Sequence, residues 1–247
     1  MHIVYYTTSK TRRRLFICFL LIFVVFLLAT LLPFVRANLW AARPVAVKGL
    51  PLSGKVFVLD PGHGGYDPGV MRDDMKEKDI VLEIAFVLRD YLQAAGARVI
   101  MTRESDRDFL AVPIAGPKKQ QDMANRMQIV NEAAPDLFIS LHVNAIASPR
   151  WRGAQVFYKS NCERSKAYAE KIQQELRRVL ANTEREIKPG NYYVLNHAAS
   201  AAVLVECGFL SHPQEAKLLC DPAYQSKVAW AVYGGILRSF SQEEAGN

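Results

Sequence analysis

The stretch VFVLDPGHGGYDPGV, Val56 to Val70, decides how the rest of the chain is read. Its first half is an apolar run that predicts a buried strand. The remainder, from Leu59, sets four glycines and two prolines around a single histidine, His63. Glycine accepts positive φ and leaves open space beside a neighbouring side chain. The pattern therefore predicts a sharp turn that presents His63 where a strand leaves the sheet, which is where open α/β folds bind ligands. A loop histidine with a structural hydrogen bond is the plainer reading, and the downstream residues decide between the two.

Outward from this turn, β-rich runs alternate with helical spacing. VFVLD (56–60) reads as a strand, and DIVLEIAFVLRDYLQAAG (79–96) as a helix stopped by Gly96. RVIMTR (98–103) is the next strand, followed by a helix over 119–134 and the strand DLFISLH (136–142). GAQVFY (153–158) reads as a strand and 163–181 as a helix. YYVL (192–195) and AAVLVE (201–206) read as strands, and helices near 212–219 and 222–240 close the chain. This alternation predicts an α/β fold, a twisted, mostly parallel sheet with helices on both faces.

The N-terminus is different. Leu15 to Phe34 is twenty residues without a charge, long enough at helical rise to span a bilayer core. Lys10, Arg12, Arg13 and Arg14 precede it, which places the tail in the cytoplasm and the rest of the chain outside. A cleaved signal peptide competes with an uncleaved anchor, because Val35 and Ala37 stand where a cleavage site needs small residues. Residues 1–37 thus read as tail and anchor or signal segment, 38–54 as a linker, and 55–241 as the catalytic domain. The formal net charge of +7 belongs to the first part. Residues 1–43 hold six basic residues and no acidic one, leaving 25 basic and 24 acidic, a net +1, for the rest. A nearly neutral domain has no electrostatic footprint for nucleic acid. Cys18, Cys162, Cys207 and Cys220 form no CxxC, which excludes a zinc-thiolate site and a disulfide scaffold. One bridge among the last three stays open, and Cys207 reads better as a small buried residue.

His63, His142 and Glu206 all fall where predicted strands end, and Glu77 precedes the first helix near the same rim. Two imidazoles and one carboxylate with a position left for water make a catalytic zinc site, and a second carboxylate off the metal serves as general base. Glu77 can instead complement the helix dipole. A glutamate closing an apolar run, as Glu206 does, is costly to bury without a partner. His197 and His212 read as loop residues or as supports behind the ligands. Arg103, Arg126 and Asn144 fall at or near the rim, either to bind substrate or in surface and capping roles.

The runs VFVLDPGHGGYDPGV, EKDIVLEIAFVLRDYLQAAGARVIMTRESD, DLFISLHVNAI and VLVECGFLS together resemble the zinc-dependent N-acetylmuramoyl-L-alanine amidases, over about Leu50 to Phe240. PLSGK, EIAFVLRDYLQ and HVNAI followed by WRGAQVFY are most similar to the germination-specific, spore-cortex branch of endospore formers. The resemblance implies one Zn2+ per chain on His63, Glu77 and His142, with Glu206 as the catalytic glutamate. It implies hydrolysis of the amide between N-acetylmuramic acid and L-alanine of peptidoglycan stem peptides, in the cortex as a step toward muramic-δ-lactam. Peptidoglycan and, through the N-terminal segment, the membrane are the expected partners. The expected location is extracytoplasmic, anchored or secreted, and the spore intermembrane space for the cortex enzyme. Two departures are visible: Cys207 fills a variable slot, and His212 stands where the family has asparagine. Asn144 and Gly153 are nine residues apart, too close for the autoinhibitory helix of some division amidases. A general autolysin of the same family, a zinc peptidase cutting within the stem peptide, and a wall-binding module without activity are the alternatives. Wall-binding repeats are absent from this sequence, and a dead module would lack Glu206.

Overall fold

The structure is a computed structural model that describes residues 9–40, 49–110 and 117–245. The chain divides after Val45 into two units. The first is a helix, α1 (Ser9–Trp40), whose large apolar side chains from Phe16 to Leu28 are exposed within that unit. Among the described residues no helix is long and apolar enough to cross a membrane. The expected tail before Ser9 and residues 41–48 of the expected linker lie outside the described residues.

In the second unit the elements are β1 (Val56–Pro61), β2 (Met71–Arg72), β3 (Met75–Lys76), α2 (Glu77–Ala94), β4 (Arg98–Met101), α3 (Lys118–Ala133) and β5 (Leu137–Asn144). They continue as β6 (Gln155–Lys159), α4 (Glu163–Leu180), β7 (Lys188–Gly190), α5 (Tyr193–His197), β8 (Ala202–Phe209), α6 (Pro213–Leu219) and α7 (Pro222–Ala245). Six strands form one sheet in the order β4-β1-β5-β8-β6-β7. All neighbours are parallel except β6, which runs antiparallel to β8. Side chains alternate across the strands. Phe57, Leu59 and Ile139 join α2, α4 and α7 in one core, and Val58, Phe138 and Leu204 join α3 and α5 in the other. The expected mostly parallel sheet with helices on both faces is therefore the fold of this unit.

Four particulars differ from the sequence reading. YYVL is not a strand: residues 193–197 form the single helical turn α5, and Val194 and Leu195 are buried against the second core. Short apolar runs suit either state, and here packing chose the helix. The edge position beside β6 goes to Lys188–Gly190 instead. The linker expected over 38–54 yields to the domain early, since Leu52 is fully buried and its amide donates to the Ala95 carbonyl at 2.9 Å. The hairpin β2–β3 carries too short a pattern to announce itself. All four cysteines are free, and burial pushes the Cys207 thiol well above its ordinary value.

Helix α7 packs on α4 through Gly235, where an added Cβ would lie 2.4 Å from Ile172 Cα and 2.7 Å from its nitrogen. Backbone cannot yield as a flexible side chain does. At Gly234 the nearest atom is the Glu175 carboxylate, at 3.3 Å. Gly235→Ala is expected to lower stability by about 1–3 kcal/mol, with Gly234→Ala costing clearly less. Urea unfolding of both variants checks this, and equal effects would contradict the close backbone approach.

Candidate metal centre and active site

The site is assembled at the carboxyl end of the central strands. β1 delivers Asp60 and Pro61, and the chain then turns through Gly62 into His63, whose φ of +59° lies in the left-handed region. For a non-glycine residue that conformation needs outside support. The support is two buried arginines. Arg103 donates from Nε to the Pro61 carbonyl at 2.9 Å and from Nη2 to the carbonyls of Gly62 and Lys78 at 2.9 and 2.7 Å. Arg126 donates to the His63 carbonyl at 2.8 Å and to Asp60 Oδ1 at 2.7 Å. Asp60 also accepts from Thr102 and Ser140 hydroxyls, both at 2.7 Å. Burial pushes that carboxylate up, but Arg126, the two hydroxyls and His142 together outweigh it, so Asp60 stays below the usual carboxylate range. Gly62 is obligatory: a Cβ there would lie 2.3 Å from Cε1 of His142.

Glu77 opens α2, brought to the rim by the β2–β3 hairpin. Its Oε2 accepts from the Val70 amide at 2.8 Å and its Oε1 from the Val143 amide at 2.9 Å. The same oxygens face the two imidazoles, with His63 Nε2 at 3.2 Å from Oε2 and His142 Nδ1 at 2.9 Å from Oε1. One ligand atom from each of the three residues lies within 4.8 Å of the others. Asp67 Oδ2 sits 2.9 Å from His63 Nδ1, on the far side of the ring from the cluster. Two imidazole nitrogens and a carboxylate held by backbone amides are the donor set of a catalytic zinc centre.

Glu206 completes the arrangement. It stands directly opposite His142 in the β5–β8 register. It is buried, and its Oε2 has no hydrogen-bond partner. An unpartnered buried carboxylate oxygen is expensive unless something meets it there. Burial lifts its pKa to about 7, against the pull of His142 and with the push of Glu77. Two cavities meet at His63, His142 and Glu206. The more enclosed one, about 290 Å³, is walled by Met123, Tyr192, Val194 and Leu204. The more open one, about 390 Å³, is lined by Gly69, Val70, Asn144 and Ala145.

Residues 57–238 match the family model for N-acetylmuramoyl-L-alanine amidase. The chain belongs to that family. Among its relatives is the germination-specific N-acetylmuramoyl-L-alanine amidase of Bacillus subtilis, 44% identical over 91% of this chain and 94% of the relative. The CwlD amidase of Clostridioides difficile, solved in complex with the GerS lipoprotein, superposes with a TM-score of 0.74 at 39% identity, covering 76% of this chain and 99% of that one. The catalytic domain of CwlV from Bacillus (Paenibacillus) polymyxa matches at TM-score 0.65 and 27% identity, covering 74% and 97%.

In this amidase His63, Glu77, His142 and Glu206 converge, and Asn144 lines the open cavity. Arg103 does not reach substrate space: it is 1% exposed, with four of its N–H groups on backbone carbonyls. Arg126 touches the enclosed cavity but is pinned behind the His63 loop. His197 lines neither cavity; its ring stacks on Tyr193 at 3.8 Å with Nδ1 2.9 Å from that residue's carbonyl. His212 caps α6, accepting from the Glu215 amide at 3.2 Å. The sequence reading missed Asp67, Lys119, Met123 and Tyr192. Asp67 sits in the glycine turn itself, and its spacing of four from His63 was the available signal. Tyr192 was hidden by reading its segment as a strand.

Within the cluster, burial pulls the His63 imidazole down, but the Glu77 and Asp67 carboxylates outweigh it and its pKa is raised. Burial likewise pushes Glu77 up, and the two histidines overcome it, leaving that carboxyl well below its ordinary range. The His63 contribution to stability is full below an unfolded pKa of about 6.5 and is lost as pH rises through the raised value. The Glu77 contribution is full above about 4.3 and is lost as pH falls. The stability gap between metal-free wild type and Glu77→Gln is therefore expected to be widest between about pH 4.5 and 6.5. Thermal unfolding across pH 4 to 8 reads it, and a flat gap would contradict the ionic character of the cluster.

Proposed function

We propose that His63, Glu77 and His142 hold one zinc ion per chain, and that Glu206 carries the proton in cutting the muramoyl–L-alanine amide. The observation that supports this most is the buried, unpartnered Glu206 Oε2 beside a three-donor cluster at the junction of two cavities. Zinc, when bound, supplies a Lewis acid and a water made acidic enough to ionise near neutral pH. Glu206 Oε2 takes a proton from the attacking water and delivers it to the leaving L-alanine nitrogen. A carboxyl poised near 7 is matched to both halves of that transfer. Glu77 is fixed by two backbone amides, and Asp67 orients His63 so that Nε2 faces the cluster. The zinc peptidase alternative uses the same chemistry, and the family match favours the amidase.

The similarity to the germination-specific enzyme supports a biosynthetic role in the spore cortex. Removing the stem peptide leaves a bare muramic acid, which a deacetylase can then help convert to the δ-lactam. The test is mass spectrometry of muropeptides incubated with zinc-loaded protein. Wild type is expected to release peptides with a free L-alanine amino group. Glu206→Gln should keep zinc and fold and lose activity by a factor of about 100 or more, whereas Glu77→Ala should loosen the metal. Cleavage inside the peptide, or a near wild-type rate in Glu206→Gln at saturating zinc, would overturn the assignment.

The N-terminal segment is part of the same reading. Leu15 to Phe34, with four basic residues before it, is suited to anchor the chain and keep residues 55–241 outside the cytoplasmic membrane, where peptidoglycan lies. A reporter fused after Asn247 is expected to be active only if it functions outside. Carbonate-resistant membrane association distinguishes an anchor from a signal peptide, which would leave a mature N-terminus near Asn38. A reporter active only in the cytoplasm would contradict both.

A further inference from the structure

Resting on the amidase reading, we propose that Trp151, flanked by Arg150 and Arg152, docks the glycan strand of peptidoglycan beside the sugar whose peptide is removed. The placement follows from the one antiparallel strand. Because β6 runs opposite to β8, with Gln155 facing Glu206 in register, the chain enters β6 at the rim where Glu206 lies. Trp151 precedes Gln155 by four residues, a reach of at most about 14 Å.

The indole is exposed yet held. Trp151 is 53% exposed, with the Arg185 guanidinium over its ring at 5.4 Å. That same guanidinium lies 4.5 Å over Phe209, three residues past Glu206. Arg185 is fixed in turn by bonds to the Arg152 carbonyl at 2.9 Å and Gln155 Oε1 at 3.1 Å. The column Phe209–Arg185–Trp151 presents a rigid aromatic plane with little ordering entropy left to lose on binding.

The surroundings point the same way. Among the described residues of the second unit, the exposed large apolar side chains are Tyr66, Met71, Ile146, Trp151, Leu218 and Trp230. Tyr66 and Met71 lie in the turn after His63 and in β2, and Ile146 and Trp151 lie between β5 and β6 beyond His142. Both segments are tied to Ser211, just beyond β8: Arg72 Nη1 donates to the Ser211 carbonyl at 2.9 Å, and the Ile146 amide donates to Ser211 Oγ at 3.3 Å. The open cavity lies between them, lined by Gly69, Val70, Asn144 and Ala145. Exposed apolar surface concentrated at one rim marks a binding surface. Sugar rings offer flat C–H faces to an indole. Arg150 and Arg152 are exposed and make no ion pair among the described residues, so both are free to meet carboxylates on neighbouring stem peptides.

The test compares full-length wild type, Trp151→Ala and Trp151→Phe on polymeric peptidoglycan and on a single N-acetylmuramoyl-peptide, with co-sedimentation on peptide-free glycan strands. Trp151→Ala is expected to raise KM on the polymer about tenfold with kcat held, and to leave the single-unit substrate within about twofold. It should also lose sedimentation with glycan, and Trp151→Phe should retain most of it. Equal loss on both substrates, an unchanged polymer KM, or Trp151-dependent binding to anionic lipid vesicles in place of glycan would overturn the proposal. Sedimentation needs no turnover, so it decides the docking even if wild type cleaves neither substrate, the result that would sink the amidase reading itself.

Discussion

Three consecutive carbonyls, those of Pro61, Gly62 and His63, end on two buried guanidiniums, and the rest of the site depends on that clamp. Without it a histidine would not remain at positive φ in a loop containing three more glycines close by. Burying two arginines is costly, and the structure offsets it differently for each. Arg126 has the Asp60 carboxylate, itself stabilised further by hydrogen bonds from two hydroxyls. Arg103 has no carboxylate in bonding range among the described residues, only carbonyl oxygens, and burial lowers its pKa to about 10. Its charge is thus stabilised by dipoles, which hold only while the loop keeps its shape. Loop and arginine enforce one another.

The sheet supplies the second constraint. Parallel pairing of β5 with β8 sets His142 beside Glu206, and antiparallel pairing of β6 sets Gln155 on the other side. A one-residue slip of β8 against β5 would turn Glu206 to the opposite face, and one of β6 against β8 would turn Gln155. The fixed register lets a carboxylate remain buried with one oxygen unmet at the junction of the two cavities.

Much of this was legible in the sequence. The strands that lead to His63, His142 and Glu206 carried strong apolar patterns, and the glycine turn announced its own geometry. What stayed hidden depended on tertiary choice. The run YYVL satisfies a strand or a helical turn equally, and only the competing edge strand Lys188–Gly190 settles which. Arg103 and Arg126 were readable as rim residues but not as clamps, because a long side chain's direction is set by what it packs under. Leu52 looked like linker because one apolar residue between proline and glycine carries no period. Its buried place under the end of α2 is visible only once Gly96 brings Leu50 and Ser53 close.

The spread of the cluster along the chain has a kinetic consequence. His142 is 65 residues from Glu77, and their meeting requires β5 to dock beside β1. Contacts so distant in sequence form after local ones, once loop closure has been met by the growing core. In a chain made from its N-terminus, His63 and Glu77 exist well before their partner and cannot by themselves form a three-donor cage. Assembly of the three-donor cluster is therefore a late event in folding, a report that the sheet has closed.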